Sequence, residues 1–241
     1  MGSSIELKGH LRRGVFLERP NRFLALVQVD ADAVPCFVPN PGRMYELLSP
    51  GVEVLLHDVG VQEQRKTRWD LIGVHHGAAV VSIDTRVPNR LVRVALQNGD
   101  LPELTGYREI QPEYRYRHSR LDFLLTRDEA RCLVEVKSCT LVDDGVARFP
   151  DAPTVRGRRH LADLMAAKRA GIRACVVFVV QRGDAQRFTP NDATDPAFGA
   201  LLRQASREGV EVYVYLAPLN GHTITLNGRI EVLLPVLSVS R

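Results

Sequence analysis

At 241 residues the chain can bury one large core or two modest ones, and 45% apolar with 25% charged residues excludes disorder over most of its length. A formal charge of +4 excludes a strongly basic tail protein, so what matters is where the cations lie. No apolar run approaches the roughly 18 residues of a membrane helix, and no basic flank leads into an apolar signal segment, so a cytoplasmic protein with no membrane association is expected.

In chain order, residues 14–83 read as short strands separated by turns: 23–29, 52–56, 70–74 and 78–83. Regular short strands with little helix between them suggest a small β-barrel, of which the five-stranded OB type is one example. Within it, Asn40-Pro41-Gly42-Arg43 precedes an apolar, helix-compatible stretch to Leu48. Asn at an N-cap with Pro following would start a helix whose free N–H groups, with Arg43, could hold a phosphate; an ordinary Pro-Gly turn is the reading these residues favour.

From about Thr85 the texture changes. A helix is expected over 89–97, strands over 114–116, 121–125 and 132–136, then a helix over 156–170 closed by Gly171. The nearly all-apolar run 173–180 reads as a central strand buried on both faces, followed by a helix over 196–208 and a strand over 210–216. This alternation predicts parallel pairing through right-handed crossovers, hence an α/β sheet with helices on its faces. The domains expected are 1–84 and 85–241. Cys36, Cys132, Cys139 and Cys175 lack the spacing of a zinc or redox motif and are expected as buried free thiols.

The chemistry concentrates in two runs, Arg120–Leu125 and Cys132–Lys137, joined by a polar turn. A symmetric hairpin pairs residues whose numbers sum to 257, placing Asp122 opposite Glu135 and Arg120 opposite Lys137. By alternation Leu121, Phe123 and Leu125 share an apolar face with Val136, Val134 and Cys132, and the acids occupy the other face. Carboxylates so placed need a raised pKa, nearby cations or a shared metal ion. Mg²⁺, or Mn²⁺ in its place, would relieve the repulsion and activate a water for attack on phosphorus, with Lys137 stabilising charge. The chain has only four lysines against 28 arginines, which makes Lys137 more suggestive than an average lysine, because a lysine can be tuned to exchange a proton. An ion-paired, exposed sheet face without catalytic meaning is the other reading of the same residues.

Taken together, Ser119-Arg-Leu-Asp-Phe123, Val134-Glu-Val-Lys-Ser138, Phe149-Pro-Asp-Ala152 and Arg156-Gly-Arg-Arg-His160-Leu161 closely resemble the sugar fermentation stimulation protein A family of prokaryotes, as do Asn40–Met44 and Asn89–Leu91. The resemblance runs along nearly the whole chain. It implies a mixed α/β protein: an N-terminal OB-like β-barrel followed by a PD-(D/E)XK restriction-endonuclease-like domain, with largely sequence-nonspecific binding of double-stranded DNA and a regulatory role in sugar metabolism. Asp122, Glu135 and Lys137 match the nuclease motif, and Leu121 stands where its proline would be. The first helix carries no carboxylate, so Glu113 is the candidate for a third metal ligand. Arg43, Arg120, Arg156, Arg159 and His160 are the candidates for phosphate contact, and an active Mg²⁺-dependent phosphodiesterase acting on DNA or RNA is the alternative to a binding protein.

Overall fold

A computed structural model describes residues 2–60, 63, 65–77 and 79–235. Strands β1 (Leu11–Asn21), β2 (Leu24–Val29), β3 (Asp32–Phe37), β4 (Glu53–Asp58) and β5 (Trp69–His76) form a closed barrel, and β6 (Ala79–Ser82) pairs with β5 beside it. The sheet runs β3-β2-β1-β4-β5, and β5 returns to β3 in parallel through Cys36↔Trp69 and Phe37↔Asp70. Alternate residues face inward, so Val27, Cys36, Val54, Leu56, Leu71 and Val74 fill the interior. Gly14 lets β1 cross β2 closely, since a Cβ there would meet Val27 Cγ1 at 2.5 Å.

Two barrel strands escape a sequence reading. β1 carries Arg12, Arg13, Glu18 and Arg19, which blur its alternation, and β3 contains Pro35, ordinarily a mark against a strand. Of the expected strand 78–83, Ala78 lies outside the described residues. The Asn40 segment adopts the turn rather than the helix. Asn40 Oδ1 accepts from the Gly42 N–H at 2.8 Å, its Nδ2 donates to Ile83 O, and Met44 takes φ 50°.

The second unit starts with α1 (Val87–Asn98) and contains β7 (Glu109–Tyr116), β8 (Ser119–Arg127), β9 (Ala130–Cys139), α2 (Val155–Arg169), β10 (Arg173–Val180), α3 (Pro196–Arg207) and β11 (Glu211–Leu216). Its sheet has the order β11-β10-β9-β8-β7, with β9, β10 and β11 parallel and the β7-β8-β9 portion antiparallel. α1 covers one face, where Leu91, Val92 and Ala95 meet Phe123, Val134 and Val177. α2 and α3 cover the other, where Leu164, Phe198 and Leu202 meet Leu133, Val176 and Phe178. β10 between them is buried on both faces, as its unbroken apolar run requires.

The helix ends follow local chemistry. Thr154 Oγ1 accepts from the Gly157 N–H at the start of α2, and Gly171 at φ 79° follows its end. Asp195 caps α3 through the Phe198 N–H and also accepts from the Thr154 N–H and from Arg158, so one carboxylate ties the heads of α2 and α3 together. The short strand Ser4–Glu6 pairs with Thr223–Thr225, which carries the chain's beginning onto the second unit. No helix among the described residues is long and apolar enough to cross a membrane. All four cysteines are buried free thiols.

Candidate metal site and its arginine-lined cavity

The β8–β9 hairpin has the expected register: Arg127↔Ala130, Leu125↔Cys132 and Phe123↔Val134 are paired. The ladder then stops. Asp122 Oδ2 accepts from the Val136 N–H at 2.7 Å, so a side chain takes the place of the next backbone bond. The alternation of β8 breaks at the same point. Leu121, expected beside Phe123, instead joins Leu124 and Leu133 under α2 and α3, while Phe123 and Leu125 lie under α1. On the neighbouring strand, Glu113 takes φ 55° between the pairs Pro112↔Phe123 and Tyr114↔Leu121, so both strands are irregular where the acid sits.

Asp122 Oδ1 accepts from Asn89 Nδ2 of α1 at 2.6 Å. Burial first, and then the charge of Glu135, push the Asp122 carboxyl up to about 6, against the opposing pull of the Val136 N–H, Lys137 and Asn89. Glu135 is 2% exposed on β9. Its Oε1 receives Lys137 Nζ at 2.5 Å and is also bonded to His160 Nδ1 of α2. Burial pushes Glu135 up, but the His160 bond and the Lys137 charge outweigh it and hold the carboxyl below its ordinary value. His160 Nε2 accepts from Arg156 Nε at 3.2 Å, and a ring protonated on Nδ1 satisfies both contacts. Glu135 Oε2 is buried with no hydrogen-bond partner.

A bare, buried carboxylate oxygen beside a second acid fits a divalent cation, because each oxygen keeps lone pairs that no protein donor uses. Among the described residues no three His, Cys, Asp or Glu side chains converge. This donor set suits a hard cation that takes one or two carboxylates and completes its shell with water and substrate oxygens, as Mg²⁺ does, rather than a closed zinc cage.

Against His160, the partner of Glu135, opens a cavity of about 380 Å³ lined by Arg115, Arg117, Arg120, Arg156 and Arg159. His118, Ser119 and His160 complete its wall. Arg120, Arg156, Arg159 and His160, all expected to contact phosphate, are thus brought together, and His160 is 1% exposed and engaged with Glu135. Glu113 is exposed and directed at Arg120, 3.6 Å away. Arg43 stays on the barrel, where it lines a separate hollow with Arg19, Arg22 and Tyr45. Sequence reasoning missed Asn89 as the partner of Asp122, although it falls in one of the recognisable motifs, and missed Arg115, Arg117 and Ser119 as neighbours of the helix cations. Only the packing of α2 against the hairpin brings them together.

Comparison with known proteins agrees with this architecture. Residues 17–83 match the SfsA N-terminal OB domain and residues 86–222 match the sugar fermentation stimulation protein RE domain. Sugar fermentation stimulation protein homologs of Moorella thermoacetica and Symbiobacterium thermophilum are similar, with 45% identity over 92% of this chain and 96% of the relative, and 47% over 91% and 94%. The solved structure of Pyrococcus furiosus SfsA in complex with Ca²⁺ superposes with a TM-score of 0.88 at 32% identity, covering 97% of this chain and 99% of that one. With both domain descriptions matched in order and relatives aligned over nearly their full length, this chain belongs to the sugar fermentation stimulation protein family.

Proposed function

We propose that the chain binds the phosphate backbone of double-stranded DNA with little base specificity and holds Mg²⁺ or Mn²⁺ between Asp122 and Glu135. The observation that carries this reading is the buried, unpartnered Glu135 Oε2, whose carboxylate is bonded to His160 in the wall of a cavity lined by five arginines. Guanidinium groups neutralise phosphates irrespective of base sequence, and a cation beside the acids adds a further attraction. The relative from Pyrococcus furiosus was solved with Ca²⁺, another hard cation that takes oxygen ligands.

Phosphodiester hydrolysis by the same site is the second reading, favoured by Lys137, whose ammonium touches Glu135. A bound Mg²⁺ would supply Lewis acidity and a more acidic water. The protein's own contribution is to hold Asp122 through Asn89 and Val136, to hold Glu135 through His160, and to keep one positive charge on Lys137 where negative charge would develop.

Binding is tested by titrating labelled duplex DNA over a range of salt concentrations; the logarithm of affinity should fall linearly with the logarithm of salt. Absence of binding at low salt overturns the proposal. Hydrolysis is tested with plasmid, linear duplex and RNA in Mg²⁺, Mn²⁺ or EDTA, against Asp122→Ala and Lys137→Ala. Cleavage that survives both substitutions assigns the chemistry elsewhere.

A further inference from the structure

Ser119 closes the two-residue turn between β7 and β8 opposite Tyr116, is 5% exposed, and lines the arginine cavity with a buried Oγ that has no hydrogen-bond partner. A buried hydroxyl without a partner is costly, and here it borders a space whose walls carry donors in excess. Of the five arginines, Arg117 has a carboxylate only at 3.9 Å, from Asp163, and Arg120 only at 3.6 Å, from Glu113. Arg115, Arg156 and Arg159 have no carboxylate partner among the described residues. Positive charge therefore exceeds what one bridging phosphodiester, with its single negative charge, would neutralise.

A phosphomonoester differs in the relevant respects. It carries about −1.5 to −2 charges at neutral pH and presents three strong acceptor oxygens, and it sits at the end of a strand, where a concave hollow can enclose it. We propose that this cavity takes the terminal phosphomonoester of a nucleic-acid strand, with Ser119 Oγ donating to one phosphate oxygen and the arginines to the others. The proposal rests on the nucleic-acid reading above and names its substrate class: duplex ends that carry a phosphate. Ser119 precedes Asp122 by three positions on β8, about 10 Å along an extended strand. His160 lines the cavity while bonded to Glu135. A phosphate held there brings the nearest phosphodiesters of the same strand to the two carboxylates, which directs any chemistry to strand ends.

The test is a competition experiment in EDTA at fixed low salt. A labelled duplex bound to the full-length protein is displaced by four competitors of one sequence: linear duplex with 5′-phosphate, with 3′-phosphate or with hydroxyl ends only, and a covalently closed circle. One phosphate-ended duplex should compete at least about tenfold better than the hydroxyl-ended duplex and the circle, a difference of about 1.4 kcal/mol. Which end wins gives the strand polarity. Ser119→Ala and Arg159→Gln should each erase the advantage while leaving the thermal midpoint near wild type. Equal competition by all four ligands overturns the terminal-phosphate site and leaves nonspecific DNA binding standing. An end preference that persists in both variants also overturns it, because the preference then comes from another surface. Failure of every duplex to bind removes the nucleic-acid reading and this inference with it.

Discussion

His160 Nδ1 and Glu135 Oε1 are hydrogen-bonded across the gap between α2 and the central sheet, and Lys137 Nζ converges on the same oxygen. The two donors leave Glu135 Oε2 bare, which makes the carboxylate asymmetric: one oxygen is held by the protein, and the other is free to bind something else.

Replacing His160 by Ala should destabilise the protein by about 1–3 kcal/mol, since it leaves a buried carboxylate short of one donor. His160→Gln, which can still donate to Glu135, should recover part of that loss. Urea unfolding of the three proteins checks the order wild type, Gln, Ala.

The raised Asp122 pKa sets a pH dependence opposite in sign to the usual one for a carboxylate. The folded value of about 6 lies above the ordinary 3.8, so the folded state binds more protons in that interval. Its contribution to the stability of the metal-free protein is fully present below about pH 4 and is lost as pH rises through about 6. Asp122→Asn should therefore be more stable than wild type in EDTA at pH 7, by up to about 3 kcal/mol, and the gap should close toward pH 4. Thermal midpoints at both pH values measure this, and excess Mg²⁺ at pH 7 should reverse the order by stabilising only the wild type.

Lys137→Met removes the charge beside Glu135 while keeping much of the stem. Duplex affinity should change less than about threefold, because a single cation among many phosphate contacts carries a small share of binding. Any Mg²⁺-dependent cleavage should fall by roughly 10²–10³-fold, the usual cost of removing one group that stabilises transition-state charge. Comparing binding isotherms with single-turnover rates separates the two effects.

Arg159→Gln should weaken binding to duplexes of unrelated sequence by the same factor and reduce the slope of log affinity against log salt by about 1. Arg43→Gln, on the barrel and outside the cavity, should move that slope less.

Much of the hairpin is legible in the residues. Two apolar runs of alternating pattern around a polar turn dictate the register, because a slip of one residue would expose Phe123, Leu125 and Val134 together. The site's irregularity is not legible in the same way. Leu121 changes faces because Asp122 captures the Val136 N–H, a choice between backbone and side-chain acceptors that strand periodicity does not encode.

Residue patterning alone suffices for the strand–helix alternation of the second unit and its parallel core around β10, and spacing along one hairpin suffices for the proximity of Asp122, Glu135 and Lys137, whereas two strands of the barrel lie beyond it. Tertiary structure alone decided that His160 faces inward to Glu135, that Asn89 reaches Asp122 from α1, and that Ser119 joins five arginines from the hairpin and α2 in one cavity. Asn89 and Asp122 alone lie 33 positions apart, and the packing of α1 and α2 onto opposite sides of the sheet brings such residues together.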